Sequence, residues 1–239
     1  MMAGGPGGDA GRNRDRLRAG FVLLWGVLAC AKLWLAAHLP VFVDEAFYAW
    51  ESRHLAWAYS DLPGLSAWLA HLGLLGGENA FALRLPFLLL GSALPWLVVR
   101  IASRWFGSQA GWTAGLLSLA MPLSALLGVM AMPDVPLVLA SLLCLDAIAA
   151  LRERVHAFAW LELAFALAIG ALAHYRFAMV LIAGLLGLWL DPRARLLLRE
   201  PMLWLVLAAG ALAWWPLLQW NLGHAGAGLR FQLVDRNPW

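Results

Sequence analysis

The sequence predicts an all-α polytopic membrane protein of about seven transmembrane helices, with an amphipathic helix in its first outer loop. Composition is the first reason. Of 239 residues 63% are hydrophobic and only 13% charged, with a mean hydropathy of +0.74; a soluble domain averages ~45–50% apolar and ~25% charged. The second is the recurrence of apolar runs close to the ~20 residues that cross a bilayer. The third is where the arginines fall, in short clusters between those runs.

The spans expected are 19–38, 83–101, 109–128, 135–151, 157–173, 177–190 and 202–220. Arg12, Arg14, Arg16 and Arg18 precede the first; Arg100 and Arg104 follow the second; Arg152 and Arg154 follow the fourth; Arg193, Arg195 and Arg199 follow the sixth. If every span crosses, all four clusters share one side, which the positive-inside rule makes cytoplasmic. One long helix over 157–190 would throw the last cluster outside, so a hairpin bent at His174-Tyr175-Arg176 is expected. Residues 1–18 read as a disordered cytoplasmic tail. A transmembrane module follows over 19–220, and an outer loop over 221–239 that is expected to be truncated. No small-residue cleavage site follows the first apolar run, so that run is expected to be retained. The bacterial plasma membrane is the expected location.

Composition excludes some classes. The net charge of +3 is spread over orienting clusters and speaks for no nucleic-acid partner. Cys30 and Cys144 lie inside apolar segments, which leaves no disulfide framework and no thiolate metal site. Lys32, the one lysine among 17 basic residues, is expected to snorkel outward. Asp146 is expected to meet Arg152 and Arg154, while Glu162 has no evident partner.

The outward stretches are polar. The first outer loop, 40–78, carries Asp44, Glu45, Glu51, Arg53, His54 and Asp61 among aromatics. Phe47, Trp50, His54 and Trp57 recur at helical spacing, so 44–58 is expected to lie as an interfacial helix with its aromatics at headgroup depth. "LPG" at 62–64 reads as a turn, with proline fixing one φ and glycine free to adopt a positive one. A second short helix is expected from about Leu65 to Leu75. The acids have ordinary readings: Asp44 as an N-cap with Glu45 favoured by the helix dipole, Asp61 as a turn residue, Asp134 as a cap in "MPDVP". Four acids on one face is a stronger pattern, because charge at membrane depth usually lines a site or a watery cavity. His174 and Arg176 could snorkel at a helix bend, or bind phosphate through arginine's fork.

These motifs resemble those of the membrane-embedded GT-C glycosyltransferases, in the branch of aminoarabinose and protein O-mannosyl transferases. Matching pieces are Asp44-Glu45-Ala46, Tyr48, Tyr59, Asp61, Pro63 and Trp68-Leu69, then "MPDVPLVLA", "HYRFAMVLI" and "WNLGHAGAGLRFQ", in family order from Asp44 to Arg236. The resemblance implies transfer of a sugar from a polyprenyl-phosphate carrier to an acceptor hydroxyl of a lipid, glycan or protein on the outer face. It implies Asp44 as general base and Asp61 as second acid. Glu45, Tyr48, Tyr59, His174, Tyr175, Arg176, His224, Arg230 and Arg236 are the implied substrate and phosphate contacts. Asp134 could ligate a divalent cation; no other cofactor is expected. Leu62, Pro63 and Gly64 depart from the family's basic residue and two prolines, His174 stands for its lysine, and the chain is about half the usual length. A non-catalytic carrier-binding subunit is therefore the alternative, with a transporter behind it.

Overall fold

The computed structural model describes residues 6–60 and 62–235. Among them every regular element is a helix. Four segments are long and apolar enough to cross a membrane: Gly11–His38, Ala80–Phe106, Asp134–Glu153 and Pro201–Gly223. The first belongs to α1 (Pro6–His38), the next two are α4 (Ala80–Phe106) and α7 (Asp134–Glu153), and the last comprises α10 (Pro201–Leu212) and α11 (Trp215–Gly223). The protein is an integral membrane protein built of helices.

The other expected spans are helical but short. Residues 109–128 divide into α5 (Ser108–Ala120) and α6 (Pro122–Leu126). The break has a local cause: Met121, before Pro122, is extended at φ −78°, ψ 121°, because the proline ring crowds the helical region for its predecessor. The hairpin of 157–190 is present as α8 (Ala157–Ala173) and α9 (Phe177–Leu190), turned at 174–176. Leu163 and Leu185 line one crevice between them, and Leu167 and Leu181 another part of it. A 3₁₀ helix, Ala194–Arg199, leads into α10. The aromatic loop gives α2 (Val43–Glu51) and α3 (Leu65–Leu74), and the chain ends in α12 (Ala227–Arg230) and a wide turn over Phe231–Asp235.

α4 is the central pillar. It packs against α1, α3, α5 and α7, while α7 also holds α8, and α8 holds α10. The largest apolar core lies among α7, α8, α9 and α10, around Trp160, Leu163, Leu167 and Phe177. A second gathers Tyr48, Leu83, Phe87, Ala131 and Val135 beneath α2, at what we call the outer end.

Four expectations change. Helix α1 begins at Pro6, so the arginine-rich stretch 12–18 is helical and not a disordered tail; arginine is a good helix former. Lys32 turns inward, 5% exposed, and its Nζ donates to the Leu127 carbonyl at 2.9 Å, an otherwise orphaned acceptor before α7. Asp146 is buried and pairs with Arg100 and Arg104 of α4, not with Arg152 and Arg154. Glu162 has a partner as well, Arg100 at 3.1 Å. The inner end of the bundle is thus tied across α4, α7 and α8 by two arginines and two acids. Arg152 pairs instead with Asp191 at 2.9 Å.

Candidate functional site at the outer end

Helix α2 organises the outer end, and Glu45 is its anchor. Glu45 and Arg84 are 0% and 1% exposed. The guanidinium meets the carboxylate through Nε and Nη2, at 2.7 and 2.6 Å. Its remaining hydrogens go to the carbonyls of Ala36, Leu39 and Pro40, at 2.9, 2.9 and 2.8 Å. All five donors of the fork are used. Glu45 in turn accepts from the N–H groups of Phe42 and Ala131, at 2.9 and 2.8 Å. Burial pushes this carboxyl's pKa up, but the Arg84 guanidinium and the two backbone donors more than offset it, leaving it below the ordinary carboxylate range. One buried pair therefore ties the end of α1, the start of α2, α4 and the loop before α7. Glu45, expected as a substrate contact, is fully buried with its carboxylate committed to Arg84 and two backbone N–H groups. The cap of α2 is Phe42, with Glu45 bonding back to its N–H, in place of the expected Asp44.

Asp44 is left exposed, with no polar partner among the described residues. Spacing of four places it on the face that carries Tyr48 one turn below. Tyr48 is 6% exposed and packs in the cluster that includes Val135, Met132 and Tyr175. Asp44 thus lies one turn from a residue packed where the "MPDVP" loop and the 174–176 turn meet. Tyr48 is largely a packing residue beneath it.

The other outward stretches do converge. Arg176 Nη1 lies 3.9 Å from Asp134 Oδ1, both exposed. The Tyr175 hydroxyl accepts from Asn221 Nδ2 at 3.1 Å. Asn221, 4% exposed, also accepts the Leu229 N–H at 2.9 Å, binding α11 to α12. Any side chain at Gly228 would strike the Ser60 carbonyl, the Tyr175 hydroxyl and Asn221 Oδ1. So the loop beside Asp61, the α8–α9 turn and the C-terminal segment touch. Asp61 and Arg236 themselves lie outside the described residues.

Several expected contacts are occupied otherwise. Helix α2 stops at Glu51 and not near 58, because the Tyr59 hydroxyl takes over the following backbone. It accepts from Ala56 N–H at 3.0 Å and contacts the carbonyls of Glu51 and His54 at 3.2 and 3.0 Å. Burial pushes the Tyr59 phenol up, and the Glu51 carboxylate adds to this against the Ala56 N–H, so it stays neutral. His174 is 3% exposed, and its Nδ1 accepts the Arg176 N–H at 3.1 Å, shaping the turn. His224 stacks on Trp220 at 4.1 Å and donates from Nδ1 to that residue's carbonyl. Arg230, 75% exposed, leans on Asp235 at 3.6 Å. Among the described residues no group of three or more His, Cys, Asp or Glu could hold a metal, and the neighbour of Asp134 is a cation.

Sequence reasoning missed Arg84 and Asn221. Arg84 had a signal, a single charge at the head of an apolar span, where an ionisable residue calls for a named partner. Asn221 stood inside the quoted "WNLGH" but has no spacing that marks it.

A family model described as dolichyl-phosphate-mannose-protein mannosyltransferase matches residues 61–220. The lipid A galacturonosyltransferase RgtD of Rhizobium johnstonii is 30% identical over 192 residues, 79% of this chain and 40% of that protein. The chain thus spans well under half the length of this curated relative. No solved structure matches.

Proposed function

Because this chain belongs to the dolichyl-phosphate-mannose-protein mannosyltransferase family, we propose that it transfers a sugar from a polyprenyl-phosphate-linked donor to an acceptor hydroxyl at the outer membrane face. The observation that carries the reading is the exposed Asp44 on a helix whose next residue is locked by Arg84. A general base must be accessible yet held in place, and a buried bidentate pair one residue away supplies the holding. In the reaction, the acceptor oxygen forms a bond to the sugar's anomeric carbon as the bond to the carrier phosphate breaks. Asp44 takes the hydroxyl proton, and the electron pair leaves on the phosphate. Arg176, which lies beside Asp134, stabilises the departing phosphate. The name of the similar Rhizobium protein supports a lipid-linked glycan acceptor and a uronic sugar as first candidates.

The experiment is sugar transfer in membranes from polyprenyl-phosphate donors, comparing the chain with Asp44→Asn. Loss of about 10²–10⁴-fold is expected for a positioned base. Unchanged transfer by Asp44→Asn would remove Asp44 from the role. A second reading, a carrier-binding member without turnover, draws on Gly64, where the related pattern has a proline and where no side chain fits. Carrier binding with no transfer by the intact chain would establish it.

A further inference from the structure

One cavity lies away from Asp44. It is a groove of about 350 Å³ between α2 and the α3–α4 turn, on the opposite face of α2. Its floor is apolar, with Ala49 and Leu83; its rim carries Trp50, Arg53, Glu78 and Asn79. That volume lies within the ~300–1,000 Å³ range of small-molecule sites, which pair an apolar lining with a few placed polar groups.

Two features of the rim select an occupant. The side chains of Arg53 and Glu78 are both exposed and make no ion pair or hydrogen bond among the described residues. They line one groove, opposite in charge and unsatisfied by each other. Around them the surface is strongly apolar: Val43 is 79% exposed, Trp50 62%, Leu72 60% and Leu75 71%. Such a collar belongs at the boundary between headgroups and acyl chains. A groove there that offers one cation, one anion and one indole face complements a ligand with an anion and a cation a few ångströms apart, attached to an apolar tail.

We propose that this groove binds the headgroup of a zwitterionic, primary-amine phospholipid from the leaflet in which α2 lies. Arg53 takes the phosphate through its fork. Glu78 accepts from the ammonium, and Trp50 supplies the wall against which a cation is attracted. Asn79 has its Oδ1 committed to the Ala82 N–H at 2.9 Å, which leaves its amide hydrogens to a phosphate or glycerol oxygen. The apolar floor takes the start of the acyl chains. An acidic phospholipid would leave Glu78 facing a like charge. The site is separate from the transfer chemistry and stands or falls apart from it.

The test is native mass spectrometry of the purified full chain in detergent. The chain is offered equal amounts of phosphatidylethanolamine, phosphatidylcholine and phosphatidylglycerol with identical acyl chains. The intact chain is expected to retain phosphatidylethanolamine over phosphatidylglycerol by about three- to fivefold, the scale of a partly exposed charge pair. Glu78→Gln is expected to bring that ratio to about one, and Arg53→Gln to lower retention of all three lipids. Equal retention of the three lipids by the unaltered chain would overturn the proposal without reference to any variant. So would a preference for phosphatidylglycerol, a phosphatidylethanolamine preference that survives Glu78→Gln, or unchanged retention in Arg53→Gln.

Discussion

At the scale of single residues, the pair Glu45–Arg84 shows how one arginine decides the placement of another side chain's neighbour. A buried charge is costly unless it is paired and its remaining donors are satisfied; here both conditions are met. Removing one partner strands the other. Arg84→Met should therefore cost about 3–5 kcal/mol, read as a large drop in thermal midpoint in detergent. Arg84→Lys should recover little, because an ammonium cannot span the bidentate carboxylate and three carbonyls. The sign of the pH dependence follows from the lowered Glu45 pKa. A carboxyl depressed in the folded state stabilises above its unfolded pKa and loses that contribution as pH falls through the folded one. The midpoint should hold from pH 7 to about 5 and fall below about 4.3, the ordinary glutamate range; in Glu45→Gln the part of that fall due to this group should vanish. Glu45 was visible in the sequence only as an acid early in a helix. Its partner lies 39 residues on, and no local pattern links two residues across that distance.

At the scale of elements, the loop from Ser52 to Gly64 replaces the last part of the helix that aromatic spacing predicts. The periodicity of Phe47, Trp50, His54 and Trp57 is real, but side-chain bonds to backbone overrule it. Ser52 Oγ donates to the Ala49 carbonyl at 2.7 Å, Tyr59 gathers three backbone groups, and Trp68 Nε1 donates to the Ala56 carbonyl at 2.8 Å. The loop closes with Gly64 N–H on the Trp57 carbonyl at 3.0 Å and an edge-to-face contact of Trp57 with Trp68 at 4.7 Å. Gly64 was expected for a positive φ, yet its φ is −71°. It is glycine for space, since a Cβ would strike the Ala56 carbonyl and the Trp57 backbone. Gly64→Ala should thus destabilise by about 1–3 kcal/mol, as an overpacked site does, and should open the loop to limited proteolysis. Protease resistance equal to the parent would show the loop can shift at no cost. Tyr59→Phe should cost about 1–3 kcal/mol by leaving the Ala56 N–H without its acceptor. The flanks of Asp61 are fixed by the same contacts: Leu62 is 3% exposed, and its carbonyl accepts the Tyr59 N–H at 2.9 Å.

At the scale of the whole molecule, α4 carries one ionic network at each end. Arg84 joins α1, α2 and the loop before α7 at the outer end; Arg100 and Arg104 join α7 and α8 at the inner end. Hydropathy and arginine clusters made the helical class and the segment order legible, because both depend on composition along the chain. They set Arg100 and Arg104 at the end of α4 away from Arg84 but treated them as solvated orienting charges. The pairing with Asp146 and Glu162 depends on the rotation of α4 against α7 and α8, which composition does not encode. The two networks sit on the same helix 16 residues apart, about 24 Å at 1.5 Å per residue, and share no partner. Sites farther apart than about 7–10 Å without shared partners add within about 0.5 kcal/mol. Asp146→Asn should cost about 1–3 kcal/mol by weakening the buried acid's hold on Arg100 and Arg104, which keep Glu162 and Glu153 as partners. Combined with Arg84→Met, it should lower stability by the sum of the single effects. A shortfall well beyond about 0.5 kcal/mol would mean that α4 moves as a rod and relays strain between its ends. Asp44 would then feel the inner network, and transfer activity would fall in Asp146→Asn as well. Additive stability with unaltered transfer in Asp146→Asn is the expected outcome. It would confine the positioning of Asp44 to the outer pair.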